Sequence, residues 1–167
     1  RVLAELAGYA TESLAASPHD WPTEGAAIGA DGTIRALAAL GFGTRSATDD
    51  TKILAVSCAN STRALDRVEA RRLTAILGKA APRTLVTSLK GAIGEFGAAG
   101  ALGAAAAVLA LVHGDVPRLG ALGASDPACT LTLAGPGTVA PRGGFSEALV
   151  AATPRGGGTV TLLFRRP

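Results

Sequence analysis

The sequence predicts an α/β fold in which helices cover a mixed β-sheet. Strand-like and helix-like segments alternate along the first part of the chain, an order that is typical of layered α/β folds. Two short apolar runs, residues 52–58 and 84–90, have the composition of strands that are covered on both faces. No tandem repeat or linker interrupts the 167 residues, so we expect a single domain over residues 1–167.

The N-terminal part predicts one strand and one helix. Residues 2–10 are strand-like, and residues 11–25 form a turn-rich loop. His19 and Asp20 in this loop could form a catalytic dyad, but a plain surface loop is the simpler interpretation. A helix is predicted from Ala26 to Leu40, and the glycine that follows should end it.

A second helix is predicted over residues 63–78, where apolar side chains recur at helical spacing and Gly78 ends the pattern. Arg67, Arg71 and Arg72 are expected to face water. Three strand-like runs, separated by proline and glycine, lie near the C-terminus at residues 129–135, 145–153 and 159–165. The last two runs are predicted to pair as a β-hairpin.

Residues 91–114 begin with a glycine at every third position, and three interpretations compete for them. The uncharged stretch from Phe96 to Val112 reaches the lower limit of a membrane span, but its alanines and glycines bury little apolar surface. A glycine-rich helix start can bind phosphate, yet the lysine and hydroxyl of a phosphate-binding loop are absent. We favour a helix buried on all sides, in which missing side chains let another backbone approach closely.

Composition and cysteine spacing exclude several classes of function. The net charge is +3 and the basic residues are scattered, so the density of positive charge is too low for a nucleic-acid-binding surface. Cys58 and Cys129 lack metal-ligand spacing, so we expect reduced cysteines, no metal and no cofactor. No secretory signal is recognisable, which predicts a cytoplasmic protein without membrane contact. The chain contains no methionine, and its first residue, Arg1, suggests a piece of a longer protein that would cover exposed apolar faces.

Three segments together resemble a known family. The run TSLKGAIGEFGAAGALGAAAAVLALVHGDVP resembles the C-terminal half of the β-ketoacyl synthases of the thiolase fold, which carry a Lys, a Gly-His and a GAAG-type helix there. STRALDRVEARRL is similar to their Asp-x-x-Glu segment, and ALVAATPRGGGTVTLLFRR to their C-terminal hairpin. The resemblance implies a thiolase-like half with a buried Ala/Gly-rich central helix and a C-terminal β-hairpin.

The family's catalytic groups are altered in this sequence. Condensing synthases use a cysteine of the N-terminal half as nucleophile and two histidines of the C-terminal half to assist decarboxylation. The resemblance places Cys58 and Glu95 at the positions of those histidines, and Arg155 near the phenylalanine that gates the pocket. No catalytic residue is therefore assigned in this chain.

Three other positions match the family. Lys90 occupies the position of the family's lysine, and Asp66 and Glu69 occupy the positions of the two acids in Asp-x-x-Glu. The resemblance implies that Lys90 pairs with Glu69 beneath the active site. We interpret the three residues as a structural scaffold of that site.

The loss of both histidines resembles the chain-length-factor subunits of type II polyketide synthases, which do not condense. We therefore expect a degenerate, non-catalytic subunit or fragment of a fatty-acid or polyketide condensing complex. Its partners would be an N-terminal synthase half or an active ketosynthase subunit, and acyl carrier protein, and it would shape the acyl tunnel. The alternative is half of an active 3-oxoacyl-[acyl carrier protein] synthase whose nucleophilic cysteine lies on a separate N-terminal piece. A ligand-binding module and an isolated structural domain also stay open.

Overall fold

A computed structural model of the protein describes residues 1–13, 30–42, 52–119 and 122–167. The strands are β1 (Glu5–Ser13), β2 (Ile53–Ser57), β3 (Thr84–Ser88), β4 (Thr132–Leu133), β5 (Glu147–Ala152) and β6 (Gly158–Arg165). The helices are α1 (Asp31–Ala39), α2 (Arg63–Leu77), α3 (Lys90–Ile93) and α4 (Ala99–His113), with a 3-10 helix at Gly78–Arg83.

The six strands form one mixed sheet in the order β1-β6-β5-β2-β3-β4. The four strands from β5 to β4 run parallel, whereas β6 is antiparallel to both β5 and β1. The predicted mixed α/β architecture is confirmed, and so is the C-terminal hairpin, which β5 and β6 form. The central strand β2 is buried at every position, as its continuous apolar sequence predicts.

The two faces of the sheet pack against different helices. On one face, Ile53 of β2 joins a core that includes Leu37 of α1 and Leu73 of α2. On the other face, Leu54 packs in a second core with Leu111 of α4. Because consecutive strand residues point to opposite faces, β2 fills both cores at once.

The predicted bounds differ from the observed ones at several elements. β1 begins at Glu5 and extends to Ser13, and β3 ends at Ser88, because the chain turns into α3 at Lys90. The run 129–135 contributes only the two residues of β4. In the described part of the first predicted helix, α1 ends at Ala39 and is followed by Gly41 at φ 73°. His19 and Asp20 lie outside the described residues.

Arg72 is buried, so the prediction that it faces water is wrong. Its position is seven residues after Leu65 and four after Val68, which places it on the inner face of α2. Its Nη2 atom donates hydrogen bonds of 3.1 to 3.2 Å to three threonine hydroxyls, and lies 3.5 Å from Glu12 Oε2. A charged side chain is tolerated there because β1, β6 and α1 supply these polar partners.

The glycine-rich segment is two helices joined by a linker. α3 ends at Ile93 and is followed by Gly94, whose φ of 84° favours glycine, and α4 begins only at Ala99. Of the five regularly spaced glycines, only Gly100 and Gly103 lie in α4. A Cβ atom on Gly103 would lie 3.3 Å from Val150 Cγ1, so this helix packs closely against side chains of the sheet, whereas the close approach of another backbone was expected.

α4 is buried along one face and not on all sides, which corrects the sequence-based expectation. The buried positions Gly103, Ala107 and Leu111 recur every four residues and face the sheet. Leu102 and Leu109 on the other face are 43% and 53% exposed. No helix in the described ranges is long and apolar enough to cross a membrane.

Candidate functional site

A cavity of about 420 Å³ lies where three parallel strands end. Cys58 follows β2, Lys90 follows β3 and Thr153 follows β5, and all three residues line the cavity. Glu95 and Arg155 complete its polar lining from the linker before α4 and from the β5–β6 turn. The carboxyl ends of parallel strands meet at one edge of a sheet, which is where open α/β folds bind ligands.

The remaining walls of this cavity are apolar or small. They come from the ends of β2 and β5, from the linker and from the first turns of α4, and they include Val56, Phe96, Gly100, Gly103, Val150 and Val160. The glycines of α4 leave this space open because they carry no side chain. The cavity thus combines an apolar body with a few polar groups, as small-molecule sites do.

Cys58 is a free and buried cysteine at the wall of the cavity. Burial, and next the negative charge of Glu69, raise the pKa of its thiol far above the ordinary value. Thr153 and Lys90 oppose this increase but do not outweigh it. Reactive cysteines need an electropositive, partly exposed environment that stabilises the thiolate, and Cys58 has the opposite environment.

Asp66 and Glu69 lie on the first turns of α2 and hold the segment that follows β2. Glu69 Oε1 accepts hydrogen bonds from the Cys58 backbone N–H at 3.2 Å and from Ser57 Oγ at 3.3 Å. Asp66 Oδ1 accepts the backbone N–H of Asn60 at 3.0 Å. Burial raises the pKa of Asp66, while backbone hydrogen bonds and Lys90 counteract the increase. The contacts of both acids fix the backbone beside the cavity.

The ion pair of Lys90 is made with Glu95, which corrects the expected pairing with Glu69. Lys90 Nζ lies 2.9 Å from Oε1 and 2.8 Å from Oε2 of Glu95. Within the described part of the chain, Glu69 Oε2 has no hydrogen-bond partner. The physical reason is the short linker: Gly94 turns the chain so that the next residue, Glu95, returns over the lysine.

Sequence reasoning missed Asn60, which ties two loops together. Its Nδ2 donates to Glu95 Oε2 at 3.0 Å, and its Oδ1 accepts from the backbone N–H and hydroxyl of Thr62. The local part of this arrangement has a sequence signal, because an Asn side chain commonly accepts a hydrogen bond from the backbone two residues further along the chain. The contact with Glu95 has none, since 35 residues separate the two positions.

Arg155 lies on the exposed β5–β6 turn and lines the same cavity. Gly156 and Gly157 follow it with φ values of 85° and 80°, which allow the tight turn. The structure thus brings Cys58, Lys90, Glu95 and Arg155 to one cavity, while Asp66 and Glu69 lie behind its wall. Among the residues that the structure describes, no group of three or more His, Cys, Asp or Glu could hold a metal ion.

Comparison with known proteins gives consistent relatives. The family described as beta-ketoacyl synthase, C-terminal domain, matches residues 3–122. Beta-ketoacyl synthase 1 of the actinorhodin polyketide, from Streptomyces coelicolor, is 39% identical over 133 residues. That alignment covers 78% of this chain and 27% of the relative, so the chain spans much less than the length of this relative.

Solved structures overlap with the whole chain. The ishigamide ketosynthase/chain length factor matches with a TM-score of 0.78 and 26% identity, over 100% of this chain and 39% of that chain. A type II polyketide synthase ketosynthase, bound to the hexaketide and in complex with its acyl-carrier protein, matches with a TM-score of 0.81 and 24% identity, over 100% and 39%. A beta-ketoacyl synthase from Burkholderia phymatum matches with 0.77 and 22%, over 100% and 38%. The last two support the fold alone, and together the three confirm the predicted thiolase-like architecture.

Proposed function

The chain belongs to the β-ketoacyl synthase family through its C-terminal domain, and from this premise we propose that it is a non-catalytic, synthase-like subunit or fragment. In this role it pairs with an N-terminal synthase half or with an active ketosynthase subunit in a fatty-acid or polyketide condensing complex. Its cavity contributes to the acyl tunnel, and the assembled complex receives acyl groups from acyl carrier protein. In this role, residues 1–167 form one domain of a cytoplasmic complex.

The observation that carries the proposal is the chemistry of the cavity. None of the described residues that line it is a histidine, and Glu95 and the buried thiol of Cys58 stand where the family resemblance places the imidazoles. Decarboxylation builds negative charge on a thioester oxygen, and a carboxylate beside that oxygen repels it. Removal of one oxyanion donor typically costs about 2.7 to 4 kcal/mol of transition-state stabilisation. The cavity is therefore better suited to holding an acyl chain than to catalysing decarboxylation.

Exposed apolar residues support a partner on the α4 side of the sheet. Leu102 and Leu109 protrude from the outer face of α4. Leu6 and Tyr9 of β1 pair with Phe164 and Leu162, which pack into the α4-side core, so they lie on the same face of the sheet. Exposed apolar surface of this extent commonly marks an interface.

The relatives support the nature of that partner. The ishigamide protein is, by its description, a ketosynthase/chain length factor, and the present chain corresponds to 39% of the matched polypeptide. The ketosynthase of the type II system is complexed with an acyl-carrier protein. These two descriptions support a ketosynthase as the proposed partner and acyl carrier protein as the proposed source of acyl groups.

A second candidate is half of an active 3-oxoacyl-[acyl carrier protein] synthase whose nucleophilic cysteine lies on a separate piece. It is favoured by the 39% identity to a protein described as a ketosynthase. In that case Glu95 takes part in chemistry that the family performs with histidine. Malonyl decarboxylation by the assembled complex that disappears in Glu95→Gln would support this candidate.

Co-expression with a cysteine-bearing ketosynthase tests the proposal. We expect a heteromer that stays intact in size-exclusion chromatography and native mass spectrometry. The same complex should condense through its partner's cysteine. A chain that remains alone and monodisperse in the presence of several such synthases would refute the pairing.

A further inference from the structure

Lys90 is the cation placed deepest in the cavity, and a carboxylate of the same chain already occupies it. Its side chain is 10% exposed, whereas that of Glu95 is 41% exposed, so the acid covers the base from the solvent side. Both carboxylate oxygens lie within 2.9 Å of Nζ. A charge-assisted contact of this geometry is stronger than a neutral hydrogen bond.

We propose that Glu95 is an internal carboxylate that occupies Lys90 and thereby excludes anionic acyl groups from the cavity. An acyl group with a free carboxylate would need the Lys90 ammonium as its counter-charge. With Glu95 in place, Lys90 is already neutralised and offers that ligand no counter-charge. A neutral alkyl or ketide chain needs no counter-charge and can pack against the apolar walls. Glu95 is thus the residue that determines which acyl groups enter.

Other contacts hold the internal carboxylate in this position. Asn60 Nδ2 donates to Glu95 Oε2 at 3.0 Å, and Asn60 is itself fixed by its backbone bond to Asp66. Asp66 also adds negative charge near Lys90 from the α2 side. Among the described residues that line the cavity, Arg155 is the other cation. The test therefore has to separate Lys90 from Arg155.

This inference rests on the proposed role of the cavity in holding acyl groups, but its test measures ligand binding and not assembly. A failed pairing experiment and a failed binding experiment are therefore distinguishable. The protein is studied intact, together with any partner that copurifies. The probe is sodium malonate, and neutral malonamide is the matched control ligand.

We expect isothermal titration calorimetry to show that Glu95→Gln binds malonate at least about tenfold more tightly than the wild type, since a hydrogen bond to a charged group is worth roughly that factor. Glu95→Ala should show the same gain and provides a second removal of the carboxylate. The double variant Glu95→Gln/Lys90→Gln should lose the gain. Glu5→Gln, which removes an exposed carboxylate on β1, should bind like the wild type.

Several outcomes would overturn the proposal. Equal malonate affinity of wild type and both Glu95 variants would show that the acid does not compete for Lys90. A gain that persists without Lys90 would assign the anion to Arg155. An equal gain for malonamide would show that the variants only enlarge the cavity.

Discussion

Glu69 Oε1 lies 3.2 Å from the backbone nitrogen of Cys58, so a carboxylate on α2 holds the end of β2 against the cavity. The same oxygen accepts the hydroxyl of Ser57. Two donors from consecutive residues thus depend on one buried acid, and the position of the cavity wall depends on it as well.

Glu69→Ala should lower the free energy of unfolding by about 1 to 3 kcal/mol, because it leaves a buried N–H without an acceptor. Glu69→Gln keeps an acceptor at the same place and should cost less. Urea unfolding of the two variants measures the difference. Equal losses in both would mean that the negative charge of Glu69, and not its acceptor oxygen at Cys58, is responsible, because Gln keeps the size and the acceptor.

The thiol of Cys58 should make the protein less stable at alkaline pH. Its pKa is raised in the folded state, so it stays protonated there while an unfolded cysteine ionises above about pH 8.5. Stability from this group is therefore complete below that pH and falls by up to about 1.4 kcal/mol per pH unit above it. The unfolding free energy of the wild type should decline more steeply between pH 8.5 and 10 than that of Cys58→Ala. Parallel curves would contradict the prediction.

Gly103→Leu should destabilise the protein by about 1 to 3 kcal/mol, because a larger side chain overpacks the contact between α4 and the sheet. Its Cβ alone would lie 3.3 Å from Val150 Cγ1 and 3.4 Å from Val56 Cγ1. Gly91→Leu is the matched control, since a Cβ there meets no atom within 4 Å. Thermal unfolding should separate the two variants clearly. Similar midpoints would indicate that the sheet yields to the new side chain.

Leu102→Glu and Leu109→Glu should weaken association with a synthase partner by more than tenfold and change the stability of the isolated fold by less than about 0.5 kcal/mol. Both side chains are exposed on the outer face of α4. Val139→Glu, at a position that is 82% exposed outside α4 and β1, should leave association unchanged. Biolayer interferometry with the partner measures all three. Unchanged binding by both α4 variants would exclude this face as the interface.

Sequence patterns predicted the parts of the fold that local periodicity determines. Three features could be predicted from the sequence. They are the apolar run of β2, the helical spacing of α2 with its end at Gly78, and the pairing of β5 with β6. The prediction for Arg72 was wrong because the periodicity of an apolar face does not show that a charged residue on that face will find polar partners. Three threonines from distant elements meet Arg72, and their convergence is a property of the tertiary structure.

At the candidate site, residues that lie at one cavity were named from the sequence, but the contacts between them were not predicted. Cys58, Lys90, Glu95 and Arg155 were identified from the family resemblance, and they line one cavity. The ion-pair partner of Lys90 could not be predicted from the sequence, because it depends on the backbone turn at Gly94 and on how far the linker reaches. Resemblance transfers positions along the chain and does not show which side chains meet across a loop.

The register of β1 against β6 has a consequence for the order of folding. Glu5 lies opposite Arg165, so 160 residues separate the two members of this pair along the chain. Contacts between such distant residues close a large loop and form slowly, whereas β5 and β6 are joined by a short turn. The β5–β6 hairpin should therefore form before β1 joins it, and the edge of β6 is open to wrong pairing in the interval.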